Sequence, residues 1–238
     1  MQKTKISWVR NTDGTQGYTI NPIKGWCNHA CGYCYSNKMW HRFHKGDKSW
    51  LYQPKVFDAI VKLKKPSTIF VGSAHDIFGD WIDSSTMVDL IQRLKKTAWV
   101  HNHTFLFLTK NPKRYAQFQL LYPFWLGATV TNTPQVANLS AFNNIFISGY
   151  HKYISFEPLL EDLSDKLNER ILRVIDWFII GCLNVNGKPV PASKGGTKLE
   201  WVLKLLEVAD RHSIPVFIKP ELYRLYPELP VRLYLPYL

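Results

Sequence analysis

An α/β fold on a largely parallel sheet is what this sequence predicts, and two patterns predict it. Short, near-continuous apolar runs recur along the chain, as strands buried on both faces of a parallel sheet require. Between them lie longer segments whose apolar residues return at helical spacing. Such alternation produces either an open doubly wound sheet or a barrel. With 238 residues, 46% of them hydrophobic, the chain can bury one sizeable core, so a single domain over residues 1–238 is expected.

The first strand is YTINPI, residues 18–23, leading into a cysteine-rich segment whose tail, Cys34 to Phe43, begins a helix. Pro54 to Lys64 reads as a helix with proline at its start. Strands follow at Thr68–Ser73, Thr104–Lys110, Leu126–Thr131, Tyr153–Pro158, Asp176–Cys182 and Pro215–Pro220. Helical segments alternate with them at Ser85–Thr97, Pro112–Leu121, Pro134–Phe142, Leu163–Val174 and Lys198–His212. In the first of these, Met87, Leu90, Ile91 and Leu94 share one face. About seven strands result, short of the eight units of a complete barrel. Leu183 to Lys198 reads as one long loop, and the prolines of residues 221–238 predict an extended strap.

A formal net charge of +12 favours polyanionic partners, nucleic acid or phosphorylated small molecules, although a basic surface also suits a merely soluble protein. Basic clusters stand at Lys62–Lys65, Arg93–Lys96 and Thr109–Arg114, the last directly after a strand. The longest apolar runs are too short to span a bilayer, and the N-terminus lacks a signal peptide's apolar region. No membrane association and a cytoplasmic location are expected. In that reducing compartment clustered cysteines bind metal or react more often than they pair.

Ligands of such folds sit at the C-terminal ends of the strands. Here those ends carry Ser73 and Asp76, Thr109 and Lys110, Thr131 and Asn132, Ser155 and Glu157, Cys182, and Lys219. One such residue would mean little; six strand ends together predict one mouth-shaped site.

Residues 25–37 read GWCNHACGYCYSN, placing Cys27, Cys31 and Cys34 at C-x3-C-x2-C. Zinc is one explanation, with His29, His41 or His44 as a fourth ligand. The other is a [4Fe–4S] cluster, normally held by four thiolates, which on three would leave one iron open. The short gaps let one loop wrap three corners of a cube, with Gly25 and Gly32 supplying backbone freedom.

The spacing, with Tyr33 just before the last cysteine, resembles the signature of the radical S-adenosylmethionine (SAM) enzymes. The blocks INPIKGWC, CGYCYS, FVGSAHDIFGDWI, FLFLTKNPKRYAQF, WLGATVTN, ISFEPLLEDL, DWFIIG and IPVFIK resemble, in order, those of the phage Gp37/Gp68-like (DUF5131-type) family. That family is radical-SAM-like and distantly similar to spore photoproduct lyase. Many of its members have wider spacing between their first two cysteines, and many read Gly-Gly-Glu where this chain has Gly181, Cys182 and Leu183.

The resemblance implies a partial (β/α) TIM-type barrel of six to seven parallel strands, a [4Fe–4S] cluster on Cys27, Cys31 and Cys34, and SAM as second cofactor. It also implies reductive cleavage of SAM to a 5′-deoxyadenosyl radical, with an electron donor such as ferredoxin or flavodoxin. Tyr33 would pack on the adenine, with Tyr35 flanking the cluster, or both fill core. Ser73 and Asp76 stand where a ligand's methionyl ammonium is expected. Lys110 would pair with its carboxylate or cap the rim. Thr129, Thr131, Asn132 and Ser155 are in reach of the ribose. Glu157 would hold ribose or substrate, or form a structural ion pair, and Cys182 would donate a hydrogen atom or fill core. The charge, the 14% aromatic content and Lys110, Lys113 and Arg114 point to DNA, RNA or a nucleotide as substrate. A peptide or small metabolite is the second reading, and a non-catalytic zinc module that binds nucleic acid the third.

Overall fold

The computed structural model describes residues 1–118, 124–145 and 150–235, with backbone only at 98–100. One sheet of eight strands organises it. In chain order these are β1 (Gln2–Lys3), β2 (Tyr18–Ile20), β3 (Thr68–Val71), β4 (Thr104–Thr109), β5 (Trp125–Thr129), β6 (His151–Phe156), β7 (Trp177–Ile180) and β8 (Val216–Ile218). Their order in the sheet is also their order in the chain. β1 runs antiparallel on β2, and every other pairing is parallel.

Sequential order has a consequence. Right-handed crossovers that always step the same way lay their helices on one face of the sheet, so the doubly wound alternative does not hold. Among the described strands no pairing joins β1 to β8, so no closed barrel is seen.

The two faces carry different cores. Ile69, Val71, Phe105, Phe107, Leu126, Ile154, Phe156, Phe178, Ile180 and Ile218 pack under the helices. Two long helices supply much of that cover: α2 (Ser84–His101), through Met87, Leu90, Ile91 and Leu94, and α3 (Leu199–Arg211), through Val202, Leu205 and Leu206. The alternate residues Phe70, Leu106, Trp125, Tyr153, Trp177, Ile179 and Phe217 face the other way and close around Trp8 and Val9. Among the described residues, no helix packs on this second face. Its polar continuation at the strands' C-terminal ends forms the candidate site.

Several predicted helices are shorter. Leu163–Val174 is helical only over Glu169–Leu172, and Pro54–Lys64 splits into a 3-10 turn at Pro54–Phe57 and one α-turn at Asp58–Val61. Pro112–Gln117 is a 3-10 helix, and the remainder of that prediction lies outside the described residues. Pro134–Phe142 is also mostly 3-10, over Ala137–Asn144. The long loop after β7 folds into a small ribbon pairing Asn184–Val185 with Lys188–Pro189.

The strap begins later than expected. Pro220 occupies the first position of a helix, Pro220–Leu225, where its missing N–H costs nothing. Beyond it the chain turns at residues 227–229, and Leu233 then bridges Phe217 on β8. Residues 236–238 lie outside the described residues.

Candidate functional site

Between β2 and β3 the chain makes a ribbon, Ile23–Gly25 against Trp50–Tyr52, and from it leaves the thiol loop. Gly25 has φ +119°, and a Cβ there would meet the Ser49 carbonyl oxygen at 2.4 Å, so glycine is required. The helix α1 (Tyr35–His44) starts immediately after Cys34.

Side chains between and after the thiols tie the loop in place. Buried Asn37 on α1 accepts from the Cys27 N–H at 3.0 Å and donates to the Cys27 carbonyl at 2.8 Å. Ser36 donates to the Ala74 carbonyl at 2.7 Å, joining α1 to the turn after β3. His29, between the first two cysteines, places Nε2 2.7 Å from Asp76 Oδ2.

Asp76 is the hub of that side. It also accepts from Thr109 Oγ1 (2.9 Å), the Lys110 N–H (2.9 Å) and the Phe78 N–H (3.0 Å). Burial alone would raise its pKa, but His29, Lys110 and Thr109 outweigh it and hold the carboxyl below its usual value. The carboxylate set against a ligand's ammonium in the sequence reading is thus taken up by the chain itself. Ser73 contacts Asn21 Oδ1 at 3.3 Å, and the same oxygen accepts from the Ala74 N–H at 2.9 Å.

Lys110 is the opposite case. Its Nζ is shut off from solvent and has no hydrogen-bond partner. The ammonium lies 5.7 Å from the centroid of the Tyr33 ring, within electrostatic reach of Cys27, Cys31 and Cys34 together. Burial lowers its pKa while the three thiols and Asp76 oppose that shift. Tyr33 is half-buried, with its hydroxyl beside Thr131 and Cys31, and desolvation pushes its pKa far up. Tyr35 faces Cys34 and Glu157. The thiol loop therefore spans the ends of β3 to β6.

Further unpartnered atoms border the same mouth. Ser155 Oγ is fully buried with no partner, and so is Asn132 Oδ1. Thr131 directs both its N–H (2.8 Å) and Oγ1 (3.1 Å) to Gln135 Oε1. Glu157 forms an ion pair with Lys219. Both lie against Gly181, where a Cβ would meet Lys219 Cδ at 2.9 Å and Glu157 Cγ at 3.1 Å.

Cys182 is placed differently. Strand alternation turns it away from Gly181 and into the helix-side core, where it is 2% exposed. Burial pushes its thiol up to about 11. That surrounding suits a core side chain rather than a group in the mouth.

The basic motif after β4 is likewise structural in part. Arg114 is 4% exposed and donates to the carbonyls of Gly79 and Ile82. Asn111 donates to the Phe78 carbonyl at 3.1 Å and to Asp80 at 2.8 Å. Lys113 pairs loosely with Asp80, at 3.6 Å, on the surface. Arg114 is therefore not available to a nucleic acid.

The donor set can be weighed against the two metals. Among the described residues no three His, Cys, Asp or Glu side chains are grouped as the ligands of one ion would be. Zinc draws its ligands to a single point, and His29, its nearest candidate fourth ligand, is bonded to Asp76. A cluster instead spreads its thiolates over the corners of a cube. Cys27 is buried with its thiol raised to about 11, chiefly by burial, so it ionises only against nearby positive charge. Three thiols on one loop, with a buried ammonium that has no hydrogen-bond partner within their electrostatic reach, are chemically compatible with a thiolate-bound anionic group.

Sequence reasoning missed Ser36, Asn37 and His29 as loop anchors. The only signal for them was proximity to the cysteines, because their partners lie up to 47 residues away. A family model described as a protein of unknown function (DUF5131) matches residues 3–221. No curated protein and no solved structure matches the chain.

Proposed function

This chain belongs to the DUF5131 family, and we propose that it is a radical SAM enzyme with a partial-barrel sheet whose thiol loop carries a [4Fe–4S] cluster. The observation that carries this reading is the buried ammonium of Lys110, which has no hydrogen-bond partner and lies within electrostatic reach of three thiols. An isolated buried cation is costly, so its retention points to an anionic group that shares the pocket.

When bound, the cluster and SAM supply one-electron cleavage of a carbon–sulfur bond and removal of a hydrogen atom from substrate. The chain's own residues do the rest. Cys27, Cys31 and Cys34 hold the cluster, and Asn37 and the His29–Asp76 pair set the loop that presents them. Lys110 offsets negative charge, as a point donor to a carboxylate or to the cluster. Tyr33 roofs that ammonium. Ser155 and Asn132, each with an unpaired oxygen, are free to receive a ligand's hydroxyls. The Glu157–Lys219 pair borders the mouth beside Gly181.

The test is anaerobic reconstitution with iron and sulfide, followed by dithionite and SAM. Iron and sulfide near four per chain with release of 5′-deoxyadenosine is expected. Zinc alone at the thiols, with no SAM cleavage after reduction, would remove the proposal.

A further inference from the structure

The helix that follows the last thiol is unusual on its outer side. Tyr35, Met39 and Phe43, spaced four apart, are 63%, 55% and 69% exposed. Beside them runs a second row, Lys38 and Arg42, continued by Lys45 at the helix end. Residues four apart on a helix stand one above the other, so an apolar row and a cationic row lie parallel along α1. The Arg42 guanidinium sits 5.7 Å from the Phe43 ring centroid, linking the rows.

The face is built to remain in place. Asn37, on the opposite side of α1, is buried against Cys27. Trp40 stacks on His44 with ring centroids 3.6 Å apart and donates Nε1–H to the Asp47 carbonyl at 2.7 Å. The stretch of chain that carries it is basic. Between residues 14 and 57 the cations Lys24, Lys38, Arg42, Lys45, Lys48 and Lys55 face a single acid, Asp47. That carboxylate is engaged by the N–H and hydroxyl of Ser49 at 2.8 Å each.

We infer that this outer face of α1 binds single-stranded nucleic acid and leads it toward the mouth beside Cys34. Phosphates weaken with salt and pair with Lys38, Arg42 and Lys45, and unstacked bases lie on Tyr35 and Phe43. An acidic protein would match the charge, but two exposed aromatic rings beside the cations suit bases with open π-faces. Duplex bases are stacked already and offer those rings no face. Tyr35 links the surface to the thiol loop, because it opens α1 directly after Cys34. The inference rests on the thiol loop as the reactive centre and adds the substrate class.

The test is fluorescence anisotropy on the full chain with a labelled single-stranded 16-mer, its RNA counterpart and the duplex, across a salt series. Either single strand should bind more tightly than the duplex, with a log–log salt slope of about −2 for three neutralised phosphates. Phe43→Ala should weaken binding about 5- to 100-fold, and Lys38→Glu with Arg42→Glu should weaken it at least about tenfold and flatten the slope. All three positions are exposed, so a melting curve suffices to check folding. Equal affinity for duplex, or wild-type affinity in Phe43→Ala, overturns the inference. So does polyglutamate that competes as well as the oligonucleotide, since it assigns the face to an acidic protein. Release of 5′-deoxyadenosine without oligonucleotide reports on the thiol loop separately. Cleavage with no strand binding sinks this inference alone, and binding with no cleavage upholds the surface while removing the enzyme.

Discussion

Replacing Lys110 by methionine should have opposite effects on the empty and the loaded protein. The side chain keeps its length and apolar stem and loses only the ammonium. In the empty chain that ammonium is buried without a hydrogen bond, a situation that costs about 1–3 kcal/mol or more for a charged group. Against this stands its contact with the Tyr33 ring at 5.7 Å, worth about 2 kcal/mol at a desolvated site, so only the upper end of that cost exceeds it. At that end the balance favours Lys110→Met by roughly 1 kcal/mol, or about 2–4 °C in Tm for a chain of this size. Circular dichroism melts of the metal-free proteins measure it. After reconstitution the sign should reverse, with lower retention of iron and at least about tenfold slower SAM cleavage, because an anionic group then loses its counter-charge. A metal-free variant that melts several degrees below wild type would refute the reasoning, since Lys110 would then be a structural cap of the rim.

Four other outcomes follow from the same geometry. Asn37→Ala removes both hydrogen bonds to the Cys27 backbone, so iron bound per chain after desalting should fall by half or more while the fold persists by circular dichroism. Asp83 accepts from the Thr86 N–H at 2.8 Å and from Ser85, which lowers its pKa to about 2. A lowered carboxyl stabilises fully above its unfolded value and loses that contribution as pH falls through the folded one. The Tm deficit of Asp83→Ala should therefore be present at pH 7 and vanish near pH 2. Arg114→Met breaks two buried hydrogen bonds from a charge and should cost about 3 kcal/mol, a fall of roughly 6–12 °C, while leaving the salt slope of oligonucleotide binding unchanged. Cys182→Ala should melt about 1 kcal/mol lower and retain product formation, as a core position would; loss of product with intact SAM cleavage would return the thiol to the chemistry.

The elements legible in the sequence are those whose residues carry the cause themselves. Ile69, Phe70 and Val71 form a strand because a β-branched and aromatic run has two faces to bury, and each face found a core. Met87, Leu90, Ile91 and Leu94 form a helix because their spacing makes one stripe. The segment Leu163–Val174 failed that standard: tertiary packing kept only Glu169–Leu172 helical, capped by Asn168 through the Ile171 N–H at 3.0 Å. Pro220 was legible as a breaker but not as a starter, because which side of it turns helical depends on what lies ahead.

The amino-acid order by itself determined a β/α chain, three thiols on one short loop, and polar groups at the strand ends, because each is a property of neighbours along the backbone. Tertiary structure alone decided what those groups do. It brought Asp76 to His29, Glu157 to Lys219 and Arg114 to the carbonyls of Gly79 and Ile82, and it left Lys110 without a hydrogen-bond partner. Hydrogen bonds act over about 3 Å, and these partners stand 32 to 62 residues apart. No spacing rule covers that separation; only the sequential stacking of eight strands places their ends side by side.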